Sequence, residues 1–352
     1  MWITSSLKAA KAPTNIALGN FDGVHLGHQQ VMTRILSGEQ TSVLPYLDHH
    51  AVTTLHDGTL TTGYSQWPID CAVDSASQLP IGPELQSSGA YSTVVTFSPH
   101  PHEYFSGVSR PLLTPVAEKT WQLARLGIHQ LIMLPFNQAL AELSPQNFVE
   151  KVLIKGLHAQ RISVGSDFHF GKGRSGNAQK LMEIAAAHNV PVIQVPLKYE
   201  QGDRISSSRI REALQSGQPN IATKLLGRPY TLTGKVVKGQ QLGRTIGFPT
   251  ANLKVPSNKY LPRTGVYSVW VYGVADCPLR GVMNIGHRPT VQGQDLSIEI
   301  HLLEWAGDLY QKSLTVSLET FIRTEQKFDS LDQLKTQISI DCEQAASTLS
   351  PA

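Results

Sequence analysis

A change in hydrophobic period part-way along the chain constrains its fold more than any other feature. Up to Gly217, short apolar runs alternate with segments of helical spacing. The runs at 14–18, 92–97, 130–134, 161–164 and 190–195 predict buried strands. Between them, 26–36, 116–126, 145–154 and 176–188 predict helices, with Ser144 as N-cap and Pro145 as first helical residue. Strands separated by such helices make βαβ units. They predict a Rossmann-like α/β fold, a parallel sheet covered on both faces, with ligands at the carboxyl ends of its strands. After Gly217 a short helix at 220–226 leads into strand-like runs at 230–237, 265–272, 280–285, 297–303 and 313–322. Gly, Pro and Asn clusters divide them, and the next long helix is at 331–349. That series predicts a small antiparallel β-barrel with a C-terminal helix packed on it. A chain of 352 residues has room for two cored domains, expected here at 1–217 and 218–352.

The stretch from 38 to 90 fits neither pattern. No Lys or Arg occurs from Ile35 to Ser109, while Asp48, Asp57, Asp70, Asp74 and Glu84 do. It reads as an acidic insertion, largely loop. His49, His50 and His56 beside Asp48 and Asp57 are metal-ligand types, but solvated loop histidines are the plainer reading. Net charge is +3, from 30 basic and 27 acidic residues, which makes no electrostatic case for nucleic acid and leaves small anionic substrates open. Cys71, Cys277 and Cys342 are too scattered for a zinc site or a disulfide framework. MWITSSLKAAKAPTN lacks the apolar core of a signal peptide, and no run of about 18 apolar residues occurs. A cytoplasmic protein without a membrane partner is expected; nothing in the sequence sets its oligomeric state.

Directly after the first predicted strand comes Gly19-Asn20-Phe21-Asp22-Gly23-Val24-His25-Leu26-Gly27-His28. The two histidines lie three apart at a helix start and so share a face. Gly23 and Gly27 remove side chains where backbone approaches a ligand. A helix N-terminus favours phosphate, and two imidazoles there add donors that follow charge building on a phosphoryl group. Ile205-Ser206-Ser207-Ser208-Arg209-Ile210-Arg211 also leads into a helix; its hydroxyls and Arg suit a triphosphate, although a Ser-capped helix alone explains them. Two other patterns are decoys. Gly171-Lys172-Gly173-Arg174-Ser175-Gly176 spells G-x-G-x-x-G, but no strand is predicted directly before it and no acidic residue lies near 190. Read with Gly165, the same stretch is one residue too long for a P-loop and has Gly173 where Ser or Thr is required.

H-x-G-H after the first strand and I-S-S-S-x-x-R after the last resemble the nucleotidylyltransferase superfamily. The fuller strings ALGNFDGVHLGHQ, TFSPHPHE, VGSDFHFGKGRSG and ISSSRIR look like the N-terminal module of bacterial bifunctional riboflavin kinase/FAD synthetases. The resemblance implies transfer of AMP from ATP to FMN, giving FAD and pyrophosphate with Mg²⁺. It implies that His25 and His28 bind the ATP phosphates, within the Gly19, Asn20, Phe21, Asp22, Gly23 and Gly27 turn. Ser206, Ser207, Ser208 and Arg211 would hold the triphosphate. Asp167 matches a polar position of the family's site; Phe97, Pro99, His100 and Pro101 are flavin candidates by family position. Lys172 and Arg174 lie on what is a mobile loop in the family. Ser208 stands where the family usually has Thr.

In the second half, glycines around Gly239, Gly243 and Gly247 allow backbone N–H groups to wrap a phosphate. Thr250 and Asn252, two apart in extended chain, point the same way and offer oxygens of the kind Mg²⁺ accepts, although a polar barrel loop also explains them. Alternation places Glu299 on one face with Ser297 and His301, opposite Ile298 and Ile300. GRTIGFPTANL resembles the signature of riboflavin kinases, supported by LGRPY, GVY, NIGHRPT and IRTEQKF. That resemblance implies riboflavin phosphorylation by ATP, with Glu299 as general base and Thr250 and Asn252 at the metal. Gln311 departs from the family, which usually has Gly there. The likeness runs over 12–37 and 91–345.

Overall fold

A computed structural model describes residues 1–36, 89–239, 243, 246–290 and 293–349. The expected insertion, with its histidines and Cys71, lies outside the described residues apart from 89 and 90. So do Arg244 and Thr245 of the riboflavin kinase signature. The chain divides into two compact units, with Ser207 ending the first and Ser208 starting the rest of the second.

The first unit is a six-stranded parallel sheet of β1 (Trp2–Thr4), β2 (Thr14–Leu18), β3 (Tyr91–Ser98), β4 (Gln130–Pro135), β5 (Ala159–Gly165) and β8 (Val192–Val195). Its order is β1-β4-β3-β2-β5-β8. All five residues of β2 are buried, as a central strand covered on both faces requires. Ile16 and Leu18 point into one core with Phe148, Leu153 and Leu181, while Ala17 points into the other with Val31, Met32 and Leu123. The helices covering these faces are α1 (Leu26–Thr33), α3 (Val116–Arg125) and α6 (Ala178–Ala186), together with α5 (Pro145–Asn147) and the π-helix Phe148–Gly156 that continues it. Ser144 caps α5 by accepting from Asn147 N–H, with Pro145 in its first turn. Shorter elements are α2 (Pro101–Ser106) and α4 (Gln138–Ala141), with the hairpins β6 (His169–Phe170)–β7 (Gly176–Asn177) and β9 (Tyr199–Glu200)–β10 (Asp203–Arg204). Chain order steps from β2 through β3 to β4 on one side and reappears at β5 on the other, so the carboxyl ends of β2 and β5 form the switch point where such sheets bind ligands.

Two expectations need correcting. The helix expected over 176–188 starts only at Ala178, capped by Asn177, because Gly176 and Asn177 pair with β6. The G-x-G-x-x-G string does follow a strand directly, the two-residue β6. That strand pairs antiparallel with β7 outside the parallel sheet, so the string still lacks the setting of a dinucleotide turn.

Among the described residues, the second unit opens with most of α7 (Ser207–Gln215) and with α8 (Pro219–Leu226). Six antiparallel strands then close a barrel in the order β11-β12-β15-β14-β13-β16. They are β11 (Tyr230–Val237), β12 (Ala251–Lys254), β13 (Gly265–Tyr272), β14 (Leu279–Thr290), β15 (Gly293–Leu302) and β16 (Ser313–Arg323). The terminal helix α9 (Leu331–Thr348) lays Ala345 and Cys342 against Val266, Val282 and Trp270. Arg323 clasps Asp341 through three charge-assisted hydrogen bonds of 2.8 to 3.1 Å. The strand β12 was not expected from the sequence. Gln311 takes the left-handed conformation (φ 64°), so the turn keeps the geometry a Gly would supply.

Candidate active sites

The turn leaving β2 is left-handed at Phe21 (φ 51°), Gly23 (φ 89°) and Val24 (φ 44°). Such backbone persists only where its surroundings hold it. The Asn20 carbonyl accepts Thr96 Oγ1 at 3.1 Å and Lys119 Nζ at 3.0 Å. The next peptide but one is held at both ends: Ser207 Oγ donates to the Asp22 carbonyl (2.8 Å) and Gly23 N–H donates to Thr114 Oγ1 (2.9 Å). Asp22, itself buried, accepts Thr114 N–H on Oδ1 at 3.2 Å. Ser207 is thus committed to the turn with its one proton.

His25 is the N-cap of α1, and its Nδ1 accepts His28 N–H at 3.2 Å. A neutral His25 therefore carries its proton on Nε2 and has a donor on the far side of the ring. His28 stacks on it, ring centroids 3.5 Å apart and 16° from parallel, with Phe21 edge-on to His28 at 5.3 Å. Gly27 makes room for this pair: a Cβ there would stand 3.2 Å from His25 Cε1. A Cβ on Gly19 would press on the Phe21 ring at 3.0 Å.

Asp167 follows β5, adjacent to β2, and pairs with Arg204 of β10, a partner not expected from the sequence. Phe97 packs edge-on against Phe136 at 5.8 Å. His100 caps α2, its Nδ1 accepting His102 N–H at 3.0 Å, with Pro99 before it and Pro101 opening the helix. Burial is the largest cause holding the His100 pKa below the ordinary histidine value. Lys172 reaches Glu142 at 2.5 Å on the surface. Of the serine motif, Ser206 and Ser207 belong to the first unit, Ser208 and Arg211 to the second. There the Tyr260 hydroxyl donates to the Arg211 carbonyl at 3.2 Å, and the Arg211 guanidinium lies 5.6 Å over the Tyr260 ring.

In the barrel, Asn252 of β12 lies directly opposite Glu299 of β15, which lies directly opposite Asn284 of β14. Directly opposed residues share a face, so the three polar side chains form one row across three strands. Thr250 Oγ1 donates to Glu299 Oε2 at 3.2 Å. His301, two along from Glu299, donates from Nδ1 to the Pro249 carbonyl at 2.9 Å and meets Phe248 edge-on. Ile298 and Ile300 are buried, as alternation requires. The glycines explain themselves here. A Cβ on Gly239 would overlap the Asn252 amide, and one on Gly243 would overlap the Phe248 carbonyl and stand 3.3 Å from Thr250 Oγ1. Gly247 is left-handed (φ 93°). Asn284 and Glu325, which accepts His287 N–H at 3.3 Å, lie within strings noted in the sequence but were given no role there.

Family models divide the chain in the same order. FAD synthetase matches 7–54 and 83–209, and riboflavin kinase matches 226–349. The class is thus a flavin-nucleotide-forming enzyme built of both modules. The bifunctional riboflavin kinase/FMN adenylyltransferase of Escherichia coli K12 is 36% identical over 328 residues, covering 93% of this chain and 90% of that protein. Its namesake from Bacillus subtilis is 33% identical over 344 residues, covering 96% of this chain and 93% of that protein. A solved structure described as a macrolide-efflux protein from Streptococcus pneumoniae matches over 99% of both chains, at 28% identity and a TM-score of 0.75. Among the described residues of the present chain, no helix is long and apolar enough to cross a membrane. The chain belongs to the bifunctional riboflavin kinase/FMN adenylyltransferase family.

Proposed function

We propose that the chain makes FMN at the Thr250–Asn252–Glu299 row of the barrel and converts FMN to FAD at the histidine turn after β2. As a member of its family it has both activities, with ATP as substrate. The functional division is put at 217/218, and the enzyme acts in the cytoplasm on small molecules.

In the kinase step, the riboflavin 5′-hydroxyl oxygen attacks the γ-phosphorus of ATP and ADP leaves. Glu299 takes the hydroxyl proton. Thr250, hydrogen-bonded to Glu299, orients that carboxylate. The backbone around Gly239, Gly243 and Gly247 wraps the phosphates. The side-chain oxygens of Thr250 and Asn252, both beside Glu299, are hard donors that fit Mg²⁺ shared with phosphate and leave the Glu299 carboxylate as the base. When bound, the ion would neutralise charge on the phosphates.

In the adenylyl step, an FMN phosphate oxygen attacks the α-phosphorus of ATP and pyrophosphate leaves. His25 and His28 donate to the phosphate oxygens as negative charge shifts toward the leaving group. Ser206, Ser207, Ser208 and Arg211 are assigned to the triphosphate, and Phe97, Pro99, His100, Pro101 and Asp167 to the flavin side. Neither step needs a covalent enzyme intermediate, so positioning and electrostatics carry the rate.

The observation that carries this reading is the stacked His25–His28 pair at the sheet's switch point, with the Nδ1 of His25 occupied. Product separation tests the barrel assignment. Glu299→Gln given riboflavin, ATP and Mg²⁺ is expected to form no FMN, yet to adenylylate supplied FMN at the wild-type rate. Normal FMN formation by that variant would refute the role of Glu299.

A further inference from the structure

Lys119 is buried in α3, away from any surface where a lysine is ordinarily found. Its ammonium donates to the Asn20 carbonyl at 3.0 Å, and Thr96 Oγ1 donates to the same oxygen at 3.1 Å. A carbonyl has two lone pairs, so this one is saturated. The peptide unit is planar, with N–H and C=O pointing oppositely. Pinning the Asn20 oxygen from within therefore aims the Phe21 N–H the other way. The following left-handed residues start from that plane, and two of them, Gly23 and Val24, lead directly into the His25 cap. The buried carboxylate of Asp22 adds a charge argument, since it needs a compensating cation. Burial lowers the Lys119 pKa, and the Asp22 charge opposes that shift.

We propose that Lys119 is a positioning residue for FMN adenylylation: its charge, held on the Asn20 carbonyl, sets the phosphate-facing turn that carries His25. The inference rests on the reading that adenylylation occurs at the His25–His28 turn. Lys119 touches no substrate; it acts through the peptide it holds. Because the turn acts on charge developing at the phosphates, the effect falls on kcat rather than on FMN binding.

The test uses the full chain supplied with FMN, ATP and Mg²⁺. Lys119→Met is expected to lower kcat for FAD formation at least tenfold, with KM for FMN within twofold of wild type and riboflavin phosphorylation unchanged. Lys119→Ala is expected to regain several-fold activity with ethylammonium and none with ethanol, which has the shape without the charge. Wild-type kcat in Lys119→Met, or equal recovery with ethanol, overturns the proposal. If Lys119→Met does not fold, Thr96→Val decides: a threefold or greater fall in kcat at constant KM supports it, and unchanged kcat overturns it. His28→Ala separates the two levels. If it keeps FAD formation, the site reading fails. If it loses FAD formation while Lys119→Met stays normal, only the positioning role fails.

Discussion

Gly239 has no side chain, and the Asn252 amide occupies the space where its Cβ would lie. The Gly239→Ala substitution adds one methyl group to a position whose backbone is not left-handed, so its cost is steric. The new carbon would overlap Asn252 Nδ2 and stand 2.6 Å from Cγ, where ordinary contact begins at 3.4 Å. Asn252 or Gly239 must therefore retreat by about an ångström. Displacement of a positioning group by about 1 Å costs on the order of 10²-fold in rate. A fall of that order in kcat for riboflavin phosphorylation is expected, read by chromatographic separation of FMN from riboflavin. Adenylylation of supplied FMN by the same chain should be unchanged. Wild-type kinase kcat in a folded Gly239→Ala chain would refute the argument that this loop and Asn252 are fitted to one another at a reacting centre.

Three further perturbations follow from the geometry. Gly27→Ala puts a Cβ 3.2 Å from the His25 ring, displacing it by a few tenths of an ångström, and should lower FAD formation several-fold while FMN formation persists. Asp341→Ala leaves the Arg323 guanidinium beneath α9 without its carboxylate; removing one partner of a buried pair costs about 3–5 kcal/mol, measurable as a lower urea midpoint for the barrel. Gln311→Gly relieves a left-handed non-glycine worth about 1–2 kcal/mol, offset by the extra freedom of an unfolded glycine, about 0.4–1 kcal/mol. Thermal unfolding should show a small gain, and a fall in Tm would contradict the strain assigned to that turn.

The two architectures were legible because their core strands are long and apolar. β2, β11 and β13 have the bounds expected from pattern alone. What escaped was short or decided by tertiary contact. β12 has four residues and follows Pro249, too little chain for a period to show; β1 has three, and docks on β4. The histidine motif stood out because its spacing carries chemistry. Lys119 did not, since charges on an amphipathic helix are read as solvent-facing, and only the fold shows its ammonium turned inward onto Asn20. The fit of Gly239 to Asn252 likewise joins residues that only the pairing of β11 with the unexpected β12 brings together.

The most direct measurement follows labelled phosphorus from ATP into flavin. With γ-labelled ATP, label is expected in FMN; with α-labelled ATP, it is expected in FAD alone. In His28→Ala the α label should vanish from flavin while γ-label transfer continues at the wild-type rate. Equal loss of both transfers on that single substitution would contradict the claim that phosphorylation and adenylylation occur at separate sites.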